Sequence, residues 1–506
     1  MIRIFLLLTT AFYVQNCQSR QTETDAPEKP NIIYILADDL GYGDISAFNP
    51  NGKIQTKHID QLAQNGIKFT DAHSNSAVCT PTRYSLLTGR YAWRTRLKKG
   101  VTWSWDTLLI DKGRTTVGTL LQKHGYHTAC IGKWHLGLGW QTDSAGTVDV
   151  RKPLRNGPND VGFDYFFGIP APLDIPPYVY IVNSRSTTQN IDTVDKNEGK
   201  GLWRRGPIGD DLRHLDVLPT FTRKAVDHIR KRAKADQPFF LYFPLPAPHT
   251  PILPTPEFQG KSGINEYGDF VLMVDDVVGQ IVQALEENQL IENTLVIVTS
   301  DNGCSPIAEF EELAEYGHDP SYIYRGHKAD IFEGGHRVPF IAHWPKKIKA
   351  GQLSDQTICH TDLLATCAAI LGDSLHHNEG EDSYNLLPLL LGKAQEKALR
   401  EATVLHSVVG VFAIRKGKWK LIFGPGSGGW SYPTPAKAIE LGLPPIQLYD
   451  LQQDSTEANN LAKNEPEIVE ELTSLMNQYI DSGRSTRGPA LQNDTETRLY
   501  RKRPNN

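Results

Sequence analysis

Residues 31–39 have the sequence NIIYILADD, a continuous apolar run that ends in two carboxylates. A half-exposed strand alternates apolar and polar residues, so an unbroken run predicts a strand that is buried on both faces of a sheet. Further strands are predicted at residues 67–70, 126–131, 239–243, 294–299 and 338–343, and helices at residues 58–65, 115–124, 270–287 and 361–371. This alternation predicts an α/β fold with a mostly parallel sheet between helices.

The sequence changes character near residue 400. Two β-rich runs flank the turn sequence RKGK at residues 415–418, which predicts a hairpin. A short strand and a closing helix are predicted at residues 447–451 and 466–480. The chain is therefore predicted to have a large domain at residues 31–400 and a smaller C-terminal α+β domain with an antiparallel sheet at residues 401–481.

Two stretches lack a regular hydrophobic pattern. Residues 144–211 are rich in Gly, Pro and Asn and are expected to form long ordered loops inside the large domain. Residues 482–506 are polar and are expected to form a frayed tail, because chain ends without apolar residues have little to anchor them.

The N-terminus has the pattern of an export signal. The apolar run at residues 4–14 is too short to span a bilayer and has the length typical of a signal peptide. Cys17 follows it, before a polar tether at residues 18–30. This arrangement resembles a bacterial lipoprotein signal in which Cys17 is lipidated, but Asn16 is not the usual small residue, so a simple secretory signal stays open. Either alternative makes residues 1–17 a signal and predicts a protein in the periplasm or anchored to the outer membrane.

The composition excludes several functional classes. The chain has 53 Lys and Arg residues against 58 Asp and Glu residues, and this balance offers no basic face for a nucleic-acid partner. Six cysteines in 506 residues are too few for a disulfide scaffold. After the N-terminal run, no apolar segment approaches the length of a membrane helix, so no transmembrane segment is predicted.

Oxygen-bearing side chains follow two of the predicted strands. Asp38 and Asp39 end the first strand, and Asp301 and Asn302 follow the strand at residues 294–299. Sites in parallel sheets form at the carboxyl ends of strands, so these four residues are expected to meet. Such a set, without a His or Cys cluster of metal-ligand spacing, favours a hard cation such as Ca²⁺ or Mg²⁺.

A third motif occupies residues 79–90, with the sequence CTPTRYSLLTGR. It lies between a predicted strand and a helical pattern, which places Cys79 near a helix N-terminus, where negative charge is favoured. The motif resembles that of the sulfatases of the alkaline-phosphatase superfamily, close in pattern to the arylsulfatases, and the resemblance extends from about residue 31 to at least residue 461. It implies that a maturation enzyme oxidises Cys79 to formylglycine, whose hydrate is the nucleophile.

The resemblance also implies a set of site residues. It implies that the bound cation is Ca²⁺ rather than Mg²⁺, held by Asp38, Asp39, Asp301, Asn302 and the modified Cys79. It supplies the remaining catalytic positions from the motif at 79–90, from GKWHLG at 132–137, from APHTP at 247–251 and from GHK at 326–328, namely Arg83, Lys133, His135, His249 and Lys328.

The same resemblance implies a role for each of these side chains. Lys133, Lys328 and Arg83 hold the sulfate oxygens together with the metal ion. His135 removes a proton from the second hydroxyl of the formylglycine hydrate, which releases sulfate. His249, with Lys328, protonates the leaving oxygen.

The substrate is expected to be a sulfated carbohydrate. Residues 162–180 resemble the corresponding segment of bacterial carbohydrate sulfatases, including those that remove 6-sulfate from galactose or N-acetylgalactosamine. Asp174 in this segment is a candidate for binding a sugar, although a carboxylate in a loop can equally accept hydrogen bonds from the backbone.

Two other functions compete with an exported sulfatase. A phosphomonoester or phosphonate hydrolase on the same fold would use similar cations, but those relatives more often have Ser or Thr in place of Cys79. A non-catalytic binding module with this fold would lack one or more of the charged site residues, and none of these is missing from the sequence.

Overall fold

The computed structural model describes residues 29–393 and 397–499. The predicted signal peptide with Cys17, the tether up to residue 28 and the end of the tail from residue 500 lie outside the described residues. Within the described part of the chain, no helix is long and apolar enough to cross a membrane.

The strands and helices follow one another along most of the chain. The strands of the described residues are β1 (Asn31–Asp38), β2 (Ile67–Phe69), β3 (Ala72–His73), β4 (His127–Lys133), β5 (Tyr165–Ile169), β6 (Ile181–Val182), β7 (Arg185–Ser186), β8 (Ile191–Val194), β9 (Gly206–Gly209), β10 (Phe239–Pro248), β11 (Thr294–Ser300), β12 (Phe340–His343), β13 (Gln352–Ser354), β14 (Ile358–Cys359), β15 (Thr403–His406), β16 (Phe412–Lys416), β17 (Trp419–Ile422) and β18 (Gln447–Asp450). The helices are α1 (Lys57–Asn65), α2 (Cys79–Thr88), α3 (Val117–Lys123), α4 (Val217–Arg232), α5 (Glu266–Glu287), α6 (Phe310–Glu315), α7 (Glu333–His336), α8 (Leu363–Ile370), α9 (Leu387–Leu390), α10 (Pro435–Glu440) and α11 (Pro466–Asp481).

The main sheet has a parallel centre flanked on each side by an antiparallel strand. Among the described residues its strand order is β13-β2-β12-β11-β1-β10-β4-β5-β6-β7. The five central strands, from β11 to β5, all run parallel. Strand β12 runs antiparallel to β11 on one side, and β6 runs antiparallel to β5 on the other. The predicted α/β fold with a mostly parallel sheet is confirmed.

Strand β1 lies at the centre of the molecule and contributes to a hydrophobic core on each face of the sheet. Ile33 and Ile35 pack in the core that contains α4 and α5. Ile32 and Tyr34 point the other way, into the core that contains α2, α3 and α8. Burying an aliphatic side chain of this kind contributes about 1.5–3 kcal/mol to folding, which fits the unbroken run of apolar residues from Ile32 to Ala37 in β1.

The C-terminal region forms the predicted antiparallel sheet, with strand order β15-β16-β17-β18. One face packs on α11, where Ile414, Leu421 and Met476 belong to one core. The other face packs on the large domain, where Ala413 shares a core with Phe332. The hairpin predicted at 415–418 joins β16 to β17, and the closing helix is α11.

Two expectations for the large domain are wrong. Strand β10 does not end at residue 243 but continues through the prolines to Pro248. The strand tolerates them because β4 pairs with β10 only as far as Tyr242, and prolines at alternate positions lack N–H groups on one edge of the strand only. Residues 144–211 are not all loops, because the apolar run of β5 enters the main sheet and β6 to β9 follow it. The overall Gly and Pro content of this stretch concealed the short strands.

The tail is also more ordered than its polarity suggested. Up to residue 499 it packs against the large domain, so the expectation of a frayed tail is wrong for this part. Asp494 accepts a hydrogen bond from Arg90 at 2.9 Å, and Asn493 accepts one from Arg94 at 3.0 Å. The backbone N–H of Ser485 donates to the carbonyl of Glu381. Buried Arg90 and Arg94 hold the tail in place, and Leu499 packs against the core of the C-terminal sheet.

Candidate functional site

The predicted site residues meet at the carboxyl ends of the central strands. Asp38 is the last residue of β1, Lys133 is the last residue of β4, and His249 directly follows β10. Asp301 directly follows β11. These four strands are neighbours in the sheet, so the topology alone brings together residues that lie far apart in the sequence.

Cys79 is the first residue of α2, as predicted, and points into this group. Its Sγ lies 3.5 Å from Asp38 Oδ1 and 3.5 Å from Lys133 Nζ. Every residue of α2 is buried, and only 2% of Cys79 is exposed. Burial raises the pKa of the Cys79 thiol, and the nearby Asp301 carboxylate raises it further.

Three buried carboxylates each pair with a different buried cation. The side chains concerned are at most 8% exposed. The nitrogen-to-oxygen distances are 2.5 Å between Lys133 and Asp38, 2.7 Å between Lys328 and Asp39, and 2.7 Å between Arg83 and Asp301. The formal charges of these six groups cancel, so the described side chains bury three ion pairs rather than isolated charges.

The ion pairs shift the pKa values of their members. Burial by itself would raise the pKa of Asp38, but Lys133 and the other cations around the site outweigh it and hold the pKa well below its usual value. Burial by itself would lower the pKa of Lys328, but Asp39 outweighs it and the pKa is raised. Both groups are therefore charged at neutral pH.

Arg83 differs from the role that the resemblance implied. Its Nε and Nη2 both donate to Asp301 Oδ2, at 3.0 and 2.7 Å, and its Nη1 donates to the carbonyl of Lys133 at 2.9 Å. The side chain is completely buried. Because its nitrogens are already used within the protein, Arg83 is placed to fix the Asp301 carboxylate rather than to reach a substrate.

The arrangement suits a metal ion. Single ligand atoms of Asp38, Asp39, Cys79 and His249 all lie within 4.8 Å of one another. Asn302 Nδ2 donates to Asp39 Oδ1 at 2.7 Å, whereas Asn302 Oδ1 is buried and has no hydrogen-bond partner among the described residues. A buried amide oxygen without a donor is costly unless a cation approaches it. The oxygen-rich set fits a hard cation.

His135 is held as a neutral imidazole. Its Nε2 donates to the carbonyl of Thr102 at 2.9 Å, since a carbonyl can only accept. Burial lowers the pKa of His135 well below its usual value, and the charge of Lys133 lowers it further. Nδ1 therefore carries a free lone pair, and it is buried without a hydrogen-bond partner among the described residues. The ring is ready to accept a proton at Nδ1.

His249 presents its other ring nitrogen to the site. Nδ1 donates to the carbonyl of Thr250 at 2.6 Å, and Nε2 lies 3.6 Å from Asp39 Oδ2. The side chain is 7% exposed, so it lies at the border between the buried acids and the outside. This position suits exchange of a proton with a group that enters from solvent.

Two residues of the site have left-handed backbone conformations. The φ angles of Asp39 and His135 are 66° and 56°. Such a conformation costs a residue other than glycine about 1–3 kcal/mol and persists only where the surroundings enforce it. Here His135 is fixed by hydrogen bonds from its N–H to Pro170 and from Thr80 to its carbonyl.

Asp174 lies outside the metal cluster. Its Oδ2 accepts a hydrogen bond from Arg204 Nη1 at 2.5 Å, whereas its Oδ1 is buried with no hydrogen-bond partner among the described residues. Sequence reasoning missed Arg204 and Thr102, because neither belongs to a motif and both act through contacts across loops. Only the three-dimensional structure shows that Thr102 contacts His135 and that Arg204 contacts Asp174.

A second buried cluster was also missed. Ring nitrogens of His73 and His336 lie 3.0 Å apart beside Glu333, a grouping that is compatible with metal binding. However, Lys420 Nζ lies 3.1 Å from Glu333 and 3.0 Å from His336 Nε2, and Arg415 Nη1 lies 2.8 Å from His73 Nε2. These cations already occupy the places of a metal ion, so the cluster is an ionic junction between the large domain and the C-terminal sheet.

Comparison with known proteins agrees with this geometry. A family model described as Sulfatase matches residues 30–373. An N-acetylgalactosamine-6-O-sulfatase of Bacteroides thetaiotaomicron is 36% identical over 491 residues, covering 89% of this chain and 93% of the relative. Human arylsulfatase A is 34% identical over 471 residues, covering 88% of this chain and 87% of the relative.

A solved structure is similar over a comparable share of the chain. It comes from work on the metabolism of multiple glycosaminoglycans by Bacteroides thetaiotaomicron and superposes with a TM-score of 0.79 at 35% sequence identity. It covers 89% of this chain and 99% of its own chain.

Proposed function

This chain belongs to the sulfatase family and is an enzyme that hydrolyses sulfate esters, and from that premise we propose that catalysis takes place at the buried group around Cys79. The observation that carries the proposal is the meeting of Cys79, Lys133 and Asp38 at the carboxyl end of the sheet. Each comes from a separate segment, and the three charged or nucleophilic groups lie in contact. We further propose that the ester group belongs to a carbohydrate.

The proposed nucleophile derives from Cys79. Oxidation of the thiol to formylglycine by a maturation enzyme supplies a hydrated aldehyde, whose hydroxyl group can attack sulfur. The chain supports such a group in two ways. The N-terminus of α2 favours negative charge at residue 79, and Lys133 Nζ lies 3.5 Å from the side-chain atom at this position.

The proposed metal ion is Ca²⁺ rather than Mg²⁺. Asp38, Asp39, Asp301 and Asn302 would hold it together with the modified residue 79, and the unpartnered Asn302 Oδ1 supports this set. A bound divalent cation would acidify a hydroxyl group and polarise a sulfate oxygen. Three carboxylates with one amide fit the larger and more flexible oxygen shell of Ca²⁺.

In this proposal the lysines bind the sulfate group and the histidines transfer protons. Lys133 and Lys328 hold sulfate oxygens, and Arg83 keeps Asp301 in place. His135 accepts a proton at the free Nδ1 when sulfate is released, and its hydrogen bond to Thr102 fixes the ring for that purpose. His249, with Lys328, donates a proton to the leaving oxygen.

The proposed substrate is a sulfated polysaccharide or one of its oligosaccharides. The support comes from the similarity to the Bacteroides relative, an N-acetylgalactosamine-6-O-sulfatase. We favour galactose or N-acetylgalactosamine 6-sulfate as the reacting unit, with Asp174 binding the sugar. The signal pattern of residues 1–17 supports a protein that is exported to the periplasm or anchored to the outer membrane through Cys17.

One experiment tests the nucleophile and the activity together. The protein is produced with and without a formylglycine-generating enzyme, and the mass of the peptide that contains residue 79 is measured. Release of sulfate from a panel of 6-sulfated sugars and an aryl sulfate, and release of phosphate from an aryl phosphate, are then measured. We expect activity on the sugars to rise in proportion to the fraction of aldehyde, with none in Cys79→Ala. Full activity with an unmodified thiol, or release from the aryl phosphate alone, would contradict the proposal.

A further inference from the structure

We infer that Trp103 and Arg204 form, beside Asp174, a second sugar subsite that recognises an anionic group on the sugar attached to the sulfated one. The shared chemistry of such a group is a carboxylate or a second sulfate. This inference deepens the proposed function and rests on it. It concerns the mouth of the site rather than the buried group around Cys79.

Trp103 lies next to a residue that lines the catalytic pocket. Its neighbour Thr102 forms part of the wall of the catalytic pocket, because the Thr102 carbonyl accepts from His135 Nε2 and the Thr102 N–H donates to Thr80 Oγ1 at 3.2 Å. Thr102 is only 4% exposed, so the chain leaves the buried wall and reaches the surface at Trp103. Half of the Trp103 surface, 50%, is exposed.

Arg204 lies between Trp103 and Asp174. Its guanidinium lies 5.5 Å from the centroid of the Trp103 ring, and its Nη1 donates to the backbone carbonyl of Asp174 at 2.9 Å and to Oδ2 of Asp174 at 2.5 Å. The Nε and Nη2 groups have no hydrogen-bond partner in the described parts of the chain. With 48% of its side chain exposed, Arg204 turns this unused edge of the guanidinium toward solvent.

Both residues are held in place before any ligand binds. The Trp103 N–H donates to Asp106 at 2.6 Å, and the carbonyl of the next residue, Ser104, accepts from Trp140 Nε1 at 2.7 Å. The carbonyl of Arg204 accepts from Tyr178 at 2.7 Å. A backbone that is already ordered loses less conformational entropy on binding, which favours a preformed subsite.

Together these features specify the ligand. The buried and unpartnered Oδ1 of Asp174 suits a hydroxyl donor on the sulfated sugar. The exposed face of Trp103 suits the apolar face of a sugar ring. The free edge of Arg204, formed by Nε and Nη2, matches the paired oxygens of a carboxylate or sulfate, which guanidinium groups bind in a bidentate manner. Because Arg204 lies beside the exposed Trp103 ring and is itself half exposed, its anion is assigned to the neighbouring sugar.

The test uses three disaccharides that share a 6-sulfated N-acetylgalactosamine unit. In the first the neighbouring sugar is a uronic acid, in the second the carboxylate is reduced to an alcohol, and in the third the reduced sugar carries a sulfate. We expect the enzyme to prefer at least one anionic disaccharide over the neutral one by about tenfold in kcat/KM, mainly through KM. Preference for the first or the third identifies the group as carboxylate or sulfate.

The matched variants are Arg204→Met and Arg205→Met. The side chain of Arg205 is 70% exposed and pairs with exposed Asp195, so it controls for loss of a surface charge. We expect Arg204→Met to abolish the preference, Arg204→Lys to restore part of it and Arg205→Met to keep it. Calorimetry on Cys79→Ala, with and without Arg204→Met, should give about a tenfold difference in Kd for the preferred disaccharide.

Trp103 is tested separately. Trp103→Ala should raise KM for all three disaccharides by a similar factor, because contact with a sugar face does not depend on charge, whereas Trp105→Ala should have little effect. A preference that survives Arg204→Met, or equal losses on the neutral and anionic disaccharides, overturns the subsite and leaves Arg204 as a support for Asp174. Sulfate release without any preference also overturns the subsite alone, whereas no release from any sugar contradicts the proposed function.

Discussion

Lys328 Nζ lies 2.7 Å from Asp39 Oδ2, although the two residues are 289 positions apart in the sequence. This is one of three ion pairs that leave the described site with balanced charges. A divalent cation that binds there adds two positive charges, and the site then attracts a sulfate ester, which carries one negative charge. The metal ion is therefore expected to matter for substrate binding as well as for the chemical step.

Lys328→Met should lower kcat/KM by about 10²- to 10³-fold, because it removes a positive charge from the place where sulfate oxygens are expected to lie. The matched control is Lys196→Met, since Lys196 is exposed and pairs only with exposed Glu198. Steady-state kinetics on a 6-sulfated sugar provides the measurement. Equal activity of the two variants would remove Lys328 from the proposed mechanism.

Asn302→Ala should weaken Ca²⁺ binding by roughly tenfold or more, because the amide oxygen that lacks a donor is lost from the ligand set. Titration calorimetry on protein treated with a chelator measures the change. In the unsubstituted protein, Ca²⁺ at about 100 times Kd should raise the free energy of unfolding by about 2.7 kcal/mol. The control Asn378→Ala lies in an exposed loop and should bind Ca²⁺ normally.

His135→Gln should lower kcat by about 10²- to 10⁴-fold, since glutamine cannot accept a proton in place of the free Nδ1. The amide can still donate to the carbonyl of Thr102, so the fold around residue 135 should be preserved. Exposed His377 provides the control variant His377→Gln. If both variants retain full kcat, the proton passes to another group.

Lys420→Met should lower the free energy of unfolding by about 3–5 kcal/mol, because the buried carboxylates of Glu333 and Glu457 lose a shared cation. The control Lys418→Met removes a half-exposed lysine that pairs with Asp450, and should cost less than about 1 kcal/mol. Denaturant unfolding followed by fluorescence gives both values. A similar small loss for both variants would show that the buried junction contributes little.

The pH dependence of stability should reflect His228. Burial lowers the pKa of His228 to about 3, and the charges of His127, Arg232 and Lys231 act in the same direction. Between the ordinary value of about 6.5 and pH 3 the unfolded chain therefore binds a proton that the native protein lacks. The free energy of unfolding should fall as the pH falls, by at most about 1.4 kcal/mol per pH unit from this group.

His228→Phe tests this expectation. The ring of His228 packs against the rings of Tyr165 and Phe239, so phenylalanine fits the same surroundings. The variant should lose stability less steeply than the unsubstituted protein between pH 6 and pH 4. His377→Gln should leave the slope unchanged. Parallel slopes for the protein and for His228→Phe would show that other groups control the acid sensitivity.

The sequence alone was sufficient to predict the site residues that lie at the ends of strands. Asp38 and Asp301 follow apolar runs, and parallel strands bring such ends together regardless of the distance along the chain. The carboxyl ends of the central strands were therefore predictable. Strand β5 was not, because its short run is surrounded by Gly and Pro residues.

Contacts between loops could not be predicted in the same way. The hydrogen bond of His135 to Thr102 and the pairing of Asp174 with Arg204 join segments that have no periodic pattern. The use of Arg83 as a partner of Asp301 also depends on the exact packing of α2 against the sheet. These interactions follow from tertiary packing, which local sequence does not encode on its own.

The burial of α2 imposes an order of events on the life of the molecule. Cys79 is 2% exposed, and every residue of its helix is enclosed by the folded large domain. A separate enzyme that oxidises this thiol as proposed can reach it only while the chain is still open. The proposed oxidation must therefore precede folding of the large domain, and copies that fold first would accumulate as stable, inactive protein.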